Sequence, residues 1–151
     1  MKQKCILSIL AFILLASCST VPFARRESSV KAVTALVNAK DHQKLIRLSE
    51  TPFLLDEEII IMPGDVAFFW ETALQNGLVI KEYTVESITP GEAEDYKYFS
   101  DSREIEIFFT KYVHEDSSIA KITSSSGVFF LLLTGKDGRY PRIFGFKGGG
   151  A

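Results

Sequence analysis

Cysteine is nearly missing from this 151-residue chain, and the two present, Cys5 and Cys18, both fall in the first eighteen residues. Residues 19–151 therefore form no disulfide, thiolate metal site or cysteine nucleophile of their own. Histidine is as scarce, with only His42 and His114. An excess of basic charge is missing too. Two of the seventeen Lys and Arg residues, and none of the nineteen Asp and Glu, precede residue 18, so residues 18–151 carry a formal charge of −4. Such a mildly acidic chain lacks the positive footprint of a nucleic-acid binder, and no nucleic-acid partner is expected. After residue 17 no hydrophobic run is long and pure enough to cross a bilayer as a helix, which takes about 20 apolar residues. The remaining length suits one domain rather than two.

What is present at the start is an export pattern. Lys2 and Lys4 precede an almost wholly apolar run from Cys5 to Ala16, twelve residues long. A charged start before a core too short to span reads as a signal peptide, residues 1–17. Leu15-Ala16-Ser17-Cys18 resembles the bacterial lipobox, in which a branched residue and two small ones precede an obligatory cysteine. The resemblance implies that Cys18 takes diacylglycerol on its sulfur, that the signal is cut before it, and that the new amino group is acylated. Anchoring by two or three chains is physically sensible, since each buried CH₂ contributes about 0.8 kcal/mol and a single chain binds only marginally. In enteric bacteria an Asp after the cysteine implies retention at the inner membrane. Ser19 in that place favours the outer membrane, with the protein facing the periplasm.

Residues 18–28 read as the lipidated cysteine and a tether. Arg25-Arg26 in it either touches anionic head groups or is simply solvated. Ser28 or Ser29 can cap a first helix bearing Val30, Val33, Leu36 and Val37. Asp41 can cap a second with Leu45, Ile46 and Leu48. Phe53-Leu54-Leu55 and Ile59-Ile60-Ile61 flank Asp56-Glu57-Glu58, which predicts a small hairpin although its turn lacks glycine. Val66, Phe69, Trp70, Ala73 and Leu74, between Pro63 and Gly77, give the clearest helical stripe.

From Leu78 the period becomes two, with Val79, Tyr83 and Val85 alternating with polar residues. Further strands are expected at Tyr96–Phe99, at Glu104–Tyr112, at Ile119–Thr123, at Val128–Leu133 and at Tyr140–Phe146, and residues 148–151 read as a loose tail. Helices followed by a meander of strands indicate an α+β fold with an antiparallel sheet.

This order resembles the NTF2-like (cystatin-like) superfamily over residues 29–147. The apolar strand Val128–Thr134, the turn Lys136-Asp137-Gly138-Arg139-Tyr140 and the strand Arg142–Phe146 are similar to that superfamily's last hairpin. The resemblance implies N-terminal helices packed on a curved antiparallel sheet, a cone that often holds an apolar pocket, and in some members dimers joined through the sheet. It also brings in isomerase-like and dehydratase enzymes, whose site needs a carboxylate or His inside the cone and a Tyr or acid to hold an oxyanion.

No such constellation is legible. The inward stripe supplies Phe69 and Trp70, which either pack in the core or line a pocket. His42 lies beside a helix cap and His114 in a polar turn. Glu82, Glu86, Glu104 and Glu106 alternate with apolar residues as on a solvated sheet face. Asp56-Glu57-Glu58 lacks the alternating spacing of a Ca²⁺ loop. Neither metal nor cofactor is expected. Val128–Leu133 does not alternate, so it presents apolar side chains on both faces. One face can pack on Trp70. The other needs cover, either from a homodimer or envelope partner through Phe129, Leu131 and Leu133, or from a segment of the chain itself. The function these readings favour is a non-catalytic ligand- or partner-binding lipoprotein, with a tethered enzyme or a structural subunit of an envelope complex as alternatives.

Overall fold

Helical and strand periods in the sequence become a mixed sheet with helices on both of its faces. A computed structural model describes residues 20–114, 116–134 and 141–148, with the backbone alone at 20–25 and 90. The segment read as a signal peptide, Cys18, the expected turn within 135–140, and residues 149–151 of the expected tail lie outside the described residues. Helix α1 runs Thr20–Asn38, starting well before the serines expected to cap it and taking in most of the segment read as a tether. Pro22 is no obstacle, because it sits in the first turn, where a backbone N–H has no helical partner to lose. Val30, Val33, Thr34 and Val37 form its buried stripe.

Helix α2 (His42–Leu48) is capped as expected, the Asp41 side chain accepting from the Lys44 N–H. The hairpin follows, β1 (Ser49–Leu55) with β2 (Glu58–Ile60). Its tight turn needs a residue in the left-handed region, and Asp56 supplies it at φ 51°, a conformation that Asp tolerates better than most. Asp56 is held there on both sides. Its N–H donates to the Phe146 carbonyl at 2.9 Å and its carboxylate accepts from the Gly148 N–H at 2.9 Å. Helix α3 (Pro63–Gln75) ends at Gly77, φ +93°, as the sequence leads one to expect.

Strand β3 is shorter than its alternation suggests, Thr84–Pro90. The reason lies at Ile80, whose N–H and carbonyl are both taken by the Asn38 amide at 2.8 Å, leaving nothing for a strand neighbour there. A 3₁₀ helix, Ala93–Tyr98, replaces the strand expected at 96–99. Helix α4, Arg103–Tyr112, replaces the one expected at 104–112. Its buried Ile105, Phe108 and Phe109 and half-buried Tyr112 recur at i, i+3, i+4 and i+7. Ser102 caps it, accepting from the Ile105 N–H, while Glu104 and Glu106 in the first turn and Lys111 in the last suit the helix dipole. Glu104 and Glu106 are thus exposed on a helix, not on a sheet face.

Strands β4 (Ser117–Ser124), β5 (Gly127–Thr134) and β6 (Arg142–Lys147) complete a six-stranded sheet of order β2-β1-β6-β5-β4-β3. It is mixed rather than antiparallel. β1 and β6, from opposite ends of the domain, pair in parallel, a geometry open only to strands joined by a long crossover. All other pairs are antiparallel.

The sheet has two apolar faces, and both are covered by the chain itself. On one, α1, α2 and α3 bury Val33, Leu45, Trp70 and Leu74 against Phe129, Leu131, Leu133 and Phe146. On the other, the 3₁₀ helix and α4 bury Phe99, Ile105, Phe108 and Phe109 against Leu54, Ile119, Leu132 and Phe144. The Lys147 ammonium donates to the Phe99 carbonyl at 2.7 Å and ties β6 to that second layer. Gly145 makes room within it, since a Cβ there would stand 2.8 Å from that of Leu132.

Candidate functional site

The residues expected at an interface are in the core. Phe129, Leu131 and Leu133 are 3%, 0% and 2% exposed and share the helix-side layer with Trp70. The side chains of β5 that point the other way, Phe130 and Leu132, meet the second layer. A continuous apolar strand here marks one buried on both faces. Its second cover is the segment 93–112, within which 96–99 and 104–112 read from sequence as strand.

Phe69 and Trp70, paired in the sequence reading as pocket or core, part company. Trp70 is wholly buried, and its indole N–H donates to Ser49 Oγ at 2.9 Å, which in turn donates to the Leu45 carbonyl at 2.9 Å. Its ring meets Phe146 edge-on at 5.4 Å. Phe69, 4.7 Å from Trp70 between ring centroids, is only half-buried and reaches an open groove of about 690 Å³.

That groove lies between the edge strand β2 and helix α3. It is lined by Leu55, Ile59, Ile60, Phe69 and Ala73, with Glu58 and Asp65 as its charged members. Three large apolar side chains stand open at it: Ile61, Met62 and Phe68, at 71%, 63% and 69% exposure. Phe68 gives the groove away even in the sequence. It falls outside the helical stripe of Val66, Phe69, Trp70 and Leu74, so α3 could not bury it along with them. Ile61 and Met62, continuing the apolar run of β2 up to Pro63, are the other missed signal.

Among the described residues the ionisable groups lining the groove are Glu58 and Asp65, both exposed. His42 is half-buried beside a smaller hollow of about 280 Å³ with Lys40 and Glu71, and His114 is exposed. Among the described residues no group of three His, Cys, Asp or Glu is placed to hold a metal ion. The groups with displaced titration lie in surface pairs elsewhere. Glu27, hydrogen-bonded to Lys31 at 2.7 Å, raises the lysine. Lys44, 2.8 Å from Asp41, lowers that carboxyl. Glu86 is lowered by the Lys121 ammonium at 2.6 Å and the Thr123 hydroxyl at 2.5 Å.

In comparisons with protein-family models, curated proteins and solved structures, nothing matches this chain. The groove is an apolar trough beside a sheet edge, with Glu58 and Asp65 as its charged lining residues.

Proposed function

We propose that this chain is an envelope lipoprotein whose domain binds a partner without catalysing a reaction on it. The observation that carries the membrane half is Leu15-Ala16-Ser17-Cys18 after a charged start and a short apolar core. Lipid on Cys18 holds the chain to the membrane, and Ser19 favours the outer membrane with the domain facing the periplasm. No helix among the described residues is long and apolar enough to cross a membrane. Palmitate labelling tests it: Cys18→Ala leaves the protein unlabelled and its signal uncut. A labelled mutant removes the anchor.

The observation that carries the binding half is the β2–α3 groove with Ile61, Met62 and Phe68 open beside it. Large exposed apolar side chains rarely gather on a monomer without a use. For the domain we favour the NTF2-like architecture. Two helices, a hairpin, an aromatic helix and a run of strands, in that order, support it, while the 3₁₀ helix and α4 between β3 and β4 are additions to the pattern. An isomerase- or dehydratase-like role asks for an acid or base within the cone, where α3 contributes Phe69 and Trp70.

Photo-crosslinking in cells tests the binding half. Benzoylphenylalanine in place of Phe68 captures a partner, and the product disappears when Ile61 and Met62 are changed to Glu. Absence of any product removes the groove as a binding surface.

A further inference from the structure

The charge around the groove is one-sided. Between Arg47 and Lys81 the chain carries six carboxylates, Glu50, Asp56, Glu57, Glu58, Asp65 and Glu71, and no Lys, Arg or His. This stretch supplies β1, β2 and α3, hence the groove itself. Two of the six are engaged, Glu50 facing Arg142 at 3.5 Å and Asp56 accepting from Gly148. Among the described residues no cation pairs with Glu57, Glu58 or Asp65, all of them exposed. Among the described residues, then, the trough carries Glu58 and Asp65 in its lining, with Glu57 next in sequence, and no cation paired to any of them.

The groove also has a backbone side. β2 is the last strand of the sheet, paired with β1 alone, so its outer edge offers the N–H and C=O groups that an added strand takes up. A strand laid there sends alternate side chains to opposite faces. Those on one face meet Ile60, Phe68 and Phe69. Glu58, two residues before Ile60, and Asp65 on α3 lie on that same side. Basic and bulky apolar side chains must therefore both stand on that one face, at every second position.

We infer that the groove takes an extended segment of a partner protein that carries basic and bulky apolar residues together on one face, at every second position, and pairs with β2 as a seventh strand. Charge decides against the other occupants. A second copy of this chain brings the same negative excess to the contact, and an anionic lipid surface is repelled by it. The inference rests on the groove being a binding surface and adds the partner's chemistry.

The test uses the full lipidated chain in phosphatidylcholine nanodiscs and three fluorescein-labelled octapeptides. One repeats Lys-Ser-Val-Ser, one repeats Glu-Ser-Val-Ser, and one is the Lys peptide with every second amide N-methylated. At low salt the Lys peptide binds at least tenfold tighter than the Glu peptide, and N-methylation costs at least tenfold. Joint reversal of charge, Glu57→Lys, Glu58→Lys and Asp65→Lys, inverts the preference. Phe68→Ser with Ile61→Ser weakens the Lys peptide at least tenfold. Equal binding of the two charge types, or indifference to N-methylation or to the serine variant, overturns the inference. So does capture of a second copy or of lipid by the crosslinker at Phe68. Capture of a partner there together with charge-blind peptides leaves the groove a binding surface and removes only the chemistry assigned to its occupant, whereas no capture at all removes the groove itself.

Discussion

The faces of β5 and the edge at β2 are both rich in apolar side chains, yet one is sealed and the other open. Val128–Leu133 is the more apolar in sequence and reads as the place a partner would sit. It is sandwiched instead, Phe129, Leu131 and Leu133 under the first three helices and Leu132 under α4. The run Ile59-Ile60-Ile61-Met62 looks like ordinary strand, but it lies at the sheet's end with no further strand beside it among the described residues, and Ile61 and Met62 are exposed. Position in the sheet, more than hydrophobicity, decides which apolar residues are free to bind.

The largest effects should come from breaking the sealed side. Leu131→Asp and Leu132→Asp each place an unpaired charge in a fully buried layer, which costs more than about 4 kcal/mol and abolishes cooperative urea unfolding. Phe108→Ala should remove about 3–5 kcal/mol by opening a cavity between α4 and the sheet. If both aspartate variants remained folded, the two-sided burial of β5 would be wrong. Next comes Gly145→Ala, whose Cβ would meet that of Leu132 at 2.8 Å. Overpacking of this kind costs about 1–3 kcal/mol, read as a lower urea midpoint. An unchanged midpoint would mean that β6 sits farther from β5.

Much of this comparison was legible in advance. The stripe of α3, the Asp41 cap, the β1–β2 hairpin and the strands at 119–123 and 128–133 follow directly from period and punctuation. The helix at 103–112 did not, because Glu-Ile-Glu-Ile offers four residues of clean alternation. The competing signal was present: Ser102 as cap, acids in the first turn, and Ile105, Phe108, Phe109 and Tyr112 at helical spacing. Reading 104–112, and likewise 96–99, as strand leaves bare a face that α4 and the 3₁₀ helix cover. Pairing of β1 with β6 was invisible for a different reason, since no local pattern records contacts between distant segments. The open groove was half legible, in a Phe68 that the helical stripe cannot absorb.

Smaller effects separate the open side. The pair Ile61→Ser and Phe68→Ser should change stability by no more than about 0.5 kcal/mol, because both side chains are already in water, while weakening partner capture. A loss of stability like that of Phe108→Ala would mean these residues are packed. The smallest effect belongs to Glu86, away from both surfaces. Lys121 and Thr123 hold its carboxyl below its ordinary value of 4.5, so the unfolded chain takes up the proton first. Its contribution is therefore present above that value and lost as pH falls through the lower folded one. Glu86→Gln should lower the urea midpoint slightly at neutral pH and progressively less as pH falls below 4.5. A gap that widened in acid would reverse the sign.

Hydroxyl-radical labelling of the full chain, purified and in intact membranes, compares the two surfaces in one experiment. Met62 and Phe68 should label readily in the purified chain and become protected in membranes, with Phe108 and Leu132 protected in both. Strong labelling of Phe108 and Leu132 in the purified chain, lost in membranes while Met62 and Phe68 stay reactive, would put the partner on the sheet face and contradict the groove.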